Sequence, residues 1–337
     1  MTLVLSVGGA RVEIGLDIAR TPRTVRALVS ALPRRIDLHC AKIAGDQVLW
    51  PAPFVLPLEA ARDIQGSPPG AFIYYPKRQF LEIMFGPLQD ETASVTVLGQ
   101  VTKGLADLKR IGRRVQTDQG WRPTWADLSA KPGPWQAELE KHYATTSHLS
   151  GEVDPVADER ASRALQAARA QRRAAWSGLP KEFERLRARQ GVMLPLGPLV
   201  FAESELRKLH ENLWVLREDG GEGRGRVASL LARGAAAQLD GLLGLHETAR
   251  TLGILAEALR SDAPDAPAVL DEAILAVGRL SHWLDLFFPW TKLNAVAAKA
   301  ARGRFSVPAP RGGTTRKAPA PRSRGRTGKT RRASRRR

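Results

Sequence analysis

The stretch VLGQVTKGL, residues 97–105, carries the change from an extended strand to a helix on which the fold depends. Ser94–Val101 has the composition of a strand, and the Gly86-Pro87 pair separates it from the strand before it. Beyond Gly104, apolar residues recur at helical spacing and predict a short helix over Lys103–Arg114. The part of the chain before this stretch is therefore expected to consist of short strands interrupted by an occasional helix.

The first 120 residues follow this pattern. Gly8-Gly9 tolerates positive φ and predicts a hairpin within residues 2–17, while Thr21-Pro22 can begin a helix that ends near Ala31. Further strands are predicted within residues 36–50, 71–75 and 80–85. Many short strands with few helices favour a closed or nearly closed β-barrel with flanking helices.

The composition changes after Trp125, where the strand patterns are expected to stop. Lys131–Pro134 predicts a linker, and helices are predicted beyond it at residues 135–143, 157–176, 179–190, 203–217, 227–259 and 268–288. Apolar stripes at near-heptad spacing on the last three predict a helical bundle. From Ser306 onward, Pro, Gly, Arg, Lys and Thr dominate without apolar periodicity, which predicts a disordered basic tail.

Charge and composition exclude several classes of protein. The chain has 337 residues and a formal net charge of +18, and the stretch 306–337 alone holds 12 Lys and Arg and no acidic residue. One cysteine, Cys40, excludes a disulfide framework and a multi-cysteine metal site. No apolar run is long enough to span a membrane, and the N-terminus lacks the charged start of a signal peptide. A soluble, cytoplasmic protein without a membrane partner is expected.

Two barrel segments resemble the cyclophilin-like fold. Residues 97–105 are similar to the cyclophilin passage from strand to helix, and Leu38-His39-Cys40 stands where cyclophilins carry an aromatic-His-Arg strand. The resemblance implies a cyclophilin-like β-barrel. It also argues against prolyl isomerase activity, because Cys40 occupies the position of the isomerase arginine.

The second half resembles the C-terminal helical bundle of the cucumopine synthase family. Three passages carry the resemblance: LPLGPLVFAESELRKLHENLWVLR at 194–217, RLSHWLDLFFPWTKLN at 279–294, and more weakly LDGLLGLHET at 239–248. The resemblance implies a Pictet–Spengler condensation of an amino acid such as histidine with a 2-oxo acid, without a nicotinamide cofactor. The expected organisation is a barrel at 1–125, connector helices at 126–178, a bundle at 179–300 and a tail at 301–337.

Ring closure of this kind needs an acid, a base and cationic groups for carboxylates. On the barrel, His39, Tyr75 and Glu82 are the candidate catalytic residues, and Tyr74 and Lys77 are candidates for substrate binding. Strand alternation places Asp37 and His39 on one face and the apolar Leu38 and Cys40 on the other. A structural or surface role for each of these polar residues stays open.

The bundle offers a second polar face. The residues Glu203, Arg207, His210, Glu211 and Trp214 recur at helical spacing, and from them Arg207 and His210 are candidates for substrate binding. A dry interface with the barrel would explain the same pattern. His246 is expected on the apolar side of its helix, and the Arg279, His282 and Asp285 group is expected to be structural.

No sequence motif indicates a cofactor or a metal. The chain lacks a phosphate-binding Gly-rich motif after a strand, a nucleophile elbow and metal-ligand histidine spacing, so neither a cofactor nor a metal is predicted, although folding could still bring ligands together. Two alternatives to an enzyme remain: a non-catalytic small-molecule or peptide-binding protein, and a nucleic-acid-associated protein acting through residues 306–337. Non-specific polyanion contact by that tail and a homo-oligomer formed through the bundle are also considered.

Overall fold

A computed structural model describes residues 1–42, 45–88, 92–146, 158–188, 197–260 and 264–304. It divides into two units, Met1–Ala295 and Val296–Arg337, and the first contains all the strands and nearly all the helices. The strands are β1 (Thr2–Val7), β2 (Ala10–Leu16), β3 (Arg34–Cys40), β4 (Gly45–Pro51), β5 (Ala61–Asp63), β6 (Ala71–Tyr75), β7 (Phe80–Leu88), β8 (Ser94–Lys103) and β9 (Thr124–Ala130).

Eight of these strands close into an antiparallel barrel. Their order is β2-β1-β9-β3-β4-β7-β6-β8, and β8 pairs again with β2 to complete the ring, while the short β5 adds to the edge at β8. Closure requires a close backbone approach at the β2–β8 seam. A Cβ atom added at Gly99 would lie 2.0 Å from the carbonyl oxygen of Gly15. The predicted β-barrel is confirmed.

The expectation that strands stop at Trp125 is wrong. Strand β9 continues to Ala130 and pairs with both β1 and β3, so it is an integral part of the barrel wall. Its inward residues Thr124, Ala126 and Leu128 do alternate with outward ones, but two of the three are small or polar. Because the strand lacks a run of large apolar residues, its alternation is easily missed.

Ten helices accompany the strands in the described ranges. They are α1 (Pro22–Ser30), α2 (Leu105–Asp118), α3 (Trp135–Thr146), α4 (Glu159–Ser177), α5 (Lys181–Ala188), α6 (Gly197–Asp219), α7 (Arg224–Gly241), α8 (His246–Leu259), α9 (Ala266–Asp285) and α10 (Trp290–Arg304). The bundle predicted after the barrel is confirmed. Among the described helices, none has the length and apolar character that crossing a bilayer requires.

The single helix expected over residues 227–259 is two helices. Gly244 adopts a φ of +67°, which favours glycine, and the chain turns there between α7 and α8. His246 therefore begins α8, where its exposed ring contacts Asp240 at 2.5 Å. The expectation that His246 lies on an apolar helix side is wrong for this reason.

Two large apolar cores support the fold. One fills the barrel and includes Leu5, Trp50, Phe72 and Leu98, and the other joins α4 to α9 within the bundle. Fifteen of the 20 residues of α9 are buried, including polar ones on the side that faces the barrel. The basic tail predicted from Ser306 onward lies outside the described residues.

Candidate active site between the barrel and the bundle

The outer face of β3 carries two polar residues that are completely buried. Ile36, Leu38 and Cys40 belong to the barrel core, so alternation turns Asp37 and His39 outward, and both are 0% exposed. They are buried because α9 packs over this part of the wall. This polar patch on the outer surface of the barrel is therefore buried within the protein.

Arg279 of α9 pairs with Asp37. Its Nη1 lies 3.0 Å from Asp37 Oδ2 and its Nη2 lies 2.8 Å from Asp37 Oδ1, while its Nε donates to the carbonyl of Ala175. The rings of Trp176 and Trp283 lie within 4.6 Å of the guanidinium carbon. Burial alone would raise the pKa of Asp37, but Arg279 and His39 outweigh it and hold that pKa well below its usual range. Asp37 is a fixed carboxylate.

His39 lies between two carboxylates and against a second histidine. Its Nε2 is 3.2 Å from Asp37 Oδ2 and its Nδ1 is 3.6 Å from Asp285 Oδ2. Its ring centroid lies only 3.2 Å from that of His282. These contacts fix the position of the His39 ring between β3 and α9.

The surroundings of His282 keep its ring neutral. Burial lowers the pKa of His282 well below its usual value, and His39, Arg279 and Lys42 lower it further against the opposing effect of Asp37. Within the described part of the chain, neither of its ring nitrogens has a hydrogen-bond partner. A buried imidazole in this state is available for a ligand.

A cavity of about 530 Å³ lies beside His282. Barrel strands form one wall, and α6, α9 and the first turns of α10 form the other. The lining residues are Cys40, Ala41, Lys42, Gln47, Leu49, Arg78, Phe80, Glu82, Val200, Glu203, Ser204, Arg207, His210, Glu211, Gly278, Ser281, His282, Asp285, Trp290 and Asn294. Its volume lies in the range typical of small-molecule sites.

Charges of both signs line this cavity. Lys42 Nζ lies 2.5 Å from Glu203 and 3.0 Å from Asp285, and Arg207 lies 3.0 Å from Glu203 and 3.4 Å from Glu211. Burial would lower the pKa of Arg207, but Glu203 and Glu211 outweigh it and raise that pKa. The cavity is therefore zwitterionic.

Asp285 is ionised at the junction between the cavity and the buried histidines. Burial would raise its pKa, but the contacts with His39 and Lys42 outweigh burial and lower it. The carboxylate thereby connects Lys42, in the cavity wall, with His39 behind that wall.

Glu82 enters the cavity from the barrel. The pairing of His39 with Leu49 and of Leu49 with Glu82 sets the three in one row across β3, β4 and β7 on the outer face. Glu82 is 1% exposed. A carboxylate on a central barrel strand is fixed in position, as a general base must be.

His210 completes the α6 side of the cavity. Burial, with Arg78 nearby, lowers the pKa of His210 to about 3, so the ring is neutral at physiological pH. Its ring packs against Gly278, where an added Cβ would lie 3.0 Å from Nε2. One turn further along α6, Trp214 Nε1 donates to Gln79 Oε1 at 3.1 Å and ties the helix to the barrel.

The structure brings some of the predicted site residues together. Glu82, Arg207 and His210 line the cavity, and His39 lies directly behind its wall at His282. The expected polar face of residues 203–217 is thus the α6 wall of the cavity.

Three other predicted residues lie elsewhere. Tyr74 points into the barrel core, where its hydroxyl donates to the carbonyl of Leu56 and burial raises its pKa above the usual value. Tyr75, on the opposite face of β6, belongs to a separate apolar cluster with Ile73. Lys77 is 63% exposed and pairs with Glu218. Strand alternation turns Tyr74 inward and the turn after Tyr75 carries Lys77 to the surface, whereas Tyr75 shares the outer face with its neighbour Phe80 but is not among the cavity-lining residues.

Sequence reasoning missed the importance of Asp37, Lys42, His282 and Asp285. Their contacts join β3 to a helix 242 residues further along the chain, as the Arg279–Asp37 bond does. A usable signal existed in the shared face of Asp37 and His39, combined with the spacing of three polar residues, Arg279, His282 and Asp285, on an otherwise apolar helix.

The site contains a cluster of potential metal ligands and a cysteine, but the cluster does not suit a metal ion and the cysteine does not suit a nucleophile. Ligand atoms of Asp37, His39 and His282 lie within 4.8 Å of one another, but Arg279 forms a hydrogen bond to one oxygen of Asp37, lies 2.8 Å from the other and adds a positive charge. This set therefore does not suit a divalent cation. Burial and the nearby Asp285 raise the pKa of Cys40 to about 12, so its thiol is inert as a nucleophile.

No protein-family model matches this chain, and no curated protein matches its sequence. Among solved structures it is similar to McbB in complex with tryptophan, with 18% identity and a TM-score of 0.67 over 87% of this chain and 99% of McbB. A hypothetical protein from Archaeoglobus fulgidus, AF2241, reaches a TM-score of only 0.30 at 21% identity, over 39% of this chain and 95% of that one. The likeness to McbB shows that the fold, barrel and bundle together, occurs in a known protein.

Proposed function

We propose that this protein is an enzyme that condenses an amino acid bearing a nucleophilic aromatic ring with a 2-oxo acid in a Pictet–Spengler reaction. The observation that carries the proposal is the zwitterionic cavity between β-barrel and bundle, with Glu82 fixed in one wall. The bound tryptophan of McbB and the histidine implied by the resemblance to cucumopine synthases are both amino acids with a nucleophilic heteroaromatic ring.

The reaction sets definite requirements. The amine attacks the ketone and water leaves, which forms an imine. A ring carbon then bonds to the imine carbon, and the ring loses a proton to a base. The site must hold two carboxylates and one ammonium, take up one proton and donate to the oxygen that leaves.

The charges in the cavity match the substrate charges. Lys42, Arg78 and Arg207 are available to two substrate carboxylates, and Arg207 offers the planar fork that suits a carboxylate. Glu203 and Glu211, which pair with these cations in the structure, would then be available to the ammonium. The volume of about 530 Å³ accommodates two small acids side by side.

Glu82 is the proposed base that removes the ring proton. His39 remains in the proposal as a residue behind the wall that contacts Asp37 and Asp285 and packs against His282. Tyr74, Tyr75 and Lys77 have no part in it because they lie outside the cavity.

The test is mass spectrometry of the purified full chain incubated with L-histidine or L-tryptophan and 2-oxoglutarate, followed by a wider panel of amines and oxo acids. We expect a protein-dependent product at the summed mass minus one water that borohydride does not reduce, because ring closure removes the imine. A folded protein that binds panel members and forms no such product is a binding protein, and this proposal is then wrong.

Site variants connect the product to the cavity. Glu82→Gln should lower kcat by about two to four orders of magnitude, the usual contribution of a general base. Arg207→Ala should mainly raise KM. The matched control is Lys208→Ala, on the adjacent position of α6, whose exposed side chain pairs with Glu205 and faces away from the cavity; it should leave both constants unchanged.

A further inference from the structure

The His39–His282 pair has an asymmetry that the proposed reaction does not by itself require. His39 contacts a carboxylate through each ring nitrogen, whereas His282 contacts none through either. The two rings nevertheless touch, with centroids 3.2 Å apart. The two rings therefore differ in their polar contacts although they touch each other.

Charged and apolar side chains from α6, α9, β7 and the end of β3 surround the two histidines. From α9, Arg279 faces Asp37 and Asp285 faces His39. From the end of β3, Lys42 contacts Asp285 and shares Glu203 of α6. From β7, the ring facing His282 is the apolar Phe80, with centroids 5.3 Å apart. Burial, apolar surface and the nearby cations together outweigh Asp37, whose carboxylate lies within 4.8 Å of a His282 nitrogen, and keep the His282 imidazole neutral.

His282 also differs from His39 in access to ligand. It is 2% exposed yet lines the cavity, and both of its nitrogens lack hydrogen-bond partners among the described residues. A neutral imidazole carries one N–H donor. Leaving such a group unpaired in a buried site is costly unless a bound molecule satisfies it.

We propose that His282 is a catalytic residue that acts as a neutral hydrogen-bond donor to the substrate oxygen, and that burial against Phe80 and the nearby cations of Arg279 and Lys42 keep its ring neutral. The inference rests on the proposed function for its substrate, a 2-oxo acid. His282 N–H donates to the ketone oxygen as the amine attacks, which stabilises the negative charge that develops there. No proton need be transferred from His282 in this step, so its own charge does not change.

The first experiment needs no substrate. In the ¹⁵N-labelled full chain, the imidazole nitrogens of each histidine report its protonation state by NMR. We expect the His282 nitrogens to keep the pattern of one protonated and one bare nitrogen on acidification from about pH 8 to pH 5. Protonation of His282 within this range overturns the inference whether or not the protein is a synthase.

The second experiment uses turnover. His282→Gln keeps a neutral N–H donor and should retain kcat within about tenfold, whereas His282→Phe, which has none, should lose at least a hundredfold. His246→Gln, at an exposed histidine that also pairs with an aspartate, is the control and should match the wild type. Equal losses in Gln and Phe variants with native circular dichroism contradict a neutral donor and indicate proton transfer by His282.

The two experiments separate the two ideas. If no substrate in the panel turns over while His282 stays neutral in the NMR titration, the Pictet–Spengler proposal fails and the charge arrangement stands. If turnover occurs and His282→Phe keeps full activity, the reaction is right and the role given to His282 is wrong.

Discussion

Arg279 and Asp37 form the most buried ion pair at the contact between barrel and bundle, at 1% and 0% side-chain exposure. Desolvating two charges is costly, and this pair offsets the cost through two short contacts and a guanidinium placed between tryptophan rings. Losing one partner would leave the other charged in an apolar interior. The loss of either side chain is therefore expected to lower the stability of the whole interface between barrel and bundle.

Replacement of Arg279 tests this residue directly. Arg279→Met should lower the free energy of unfolding by roughly 3–5 kcal/mol, because Asp37 is left buried without its guanidinium partner. Urea unfolding followed by circular dichroism measures the loss. The control Arg260→Met removes an exposed contact with Glu257 and should cost less than about 1 kcal/mol. Similar losses in both variants would contradict the view that the buried charge dominates.

His210 gives the protein a predictable sensitivity to acid. Its pKa is lowered to about 3 in the fold, so the unfolded chain binds a proton between the ordinary value of 6.5 and about 3 that the folded chain does not. The stabilisation from the neutral ring is complete above pH 6.5 and is lost progressively as the pH falls toward 3.

We therefore expect the free energy of unfolding of the wild type to fall more than that of His210→Gln when the pH is lowered from about 7 to about 4. The difference should reach a few kcal/mol, at about 1.4 kcal/mol per pKa unit. His246→Gln, at an exposed position, should follow the wild-type curve. Parallel pH curves for the wild type and His210→Gln would show that this ring does not titrate abnormally.

At the scale of the elements, two glycines differ in the space that is available for an added side chain. Gly99 lies at the β2–β8 seam, where an added Cβ would be 2.0 Å from a backbone oxygen that cannot move without opening the barrel. Gly234 lies within α7, where an added Cβ meets nothing within 4 Å. The same substitution should consequently have opposite signs at the two positions.

Gly99→Ala should destabilise the barrel by several kcal/mol or prevent folding, since the contact is between backbones. Gly234→Ala should raise the free energy of unfolding by about 0.5–1 kcal/mol, because alanine loses less conformational entropy in a helix. Thermal unfolding of both variants provides the comparison. A tolerated Gly99→Ala would mean that the seam is looser than the pairing of Leu16 with Gly99 indicates.

Elements with strong local patterns could be predicted from sequence, and those fixed by distant partners could not. The hairpin at Gly8-Gly9, the helix after Gly104 and the apolar stripes of α6 and α9 are local features, and the structure contains them. Strand β9 owes its position to pairing with β1 and β3, which no local pattern encodes.

The candidate site divides in the same way. Glu82, Arg207 and His210 could be chosen by residue type and spacing, and they line the cavity. His282 could not, because its importance depends on contact with His39, which lies far away in the chain and meets it only when α9 covers β3.

At the scale of the whole molecule, the chain combines a zwitterionic cavity with a strongly basic charge of +18. The stretch 306–337 provides 12 of its Lys and Arg residues and no acidic ones. Long-range attraction of polyanions is therefore predicted to come mainly from that stretch, while the proposed selection of small acids would depend on the cavity.

Removal of residues 306–337 tests this division. The shortened chain should elute from heparin at much lower salt, because binding driven by many cations weakens steeply with salt. The Michaelis constants for any condensed substrate pair should not change. Unchanged heparin elution would assign polyanion binding to residues 1–305 instead.

The Arg279–Asp37 pair also affects how such a protein can be inherited. A recombination event that joined this barrel to a different bundle would bring the carboxylate of Asp37 into a new interior without its guanidinium, and the reciprocal product would carry a buried Arg279 with no counter-ion. Either chimaera would start several kcal/mol below its parents in stability. Barrel and bundle are therefore expected to be inherited together. Substitutions in the cavity lining would change the ligand at a smaller cost in stability than the exchange of either half.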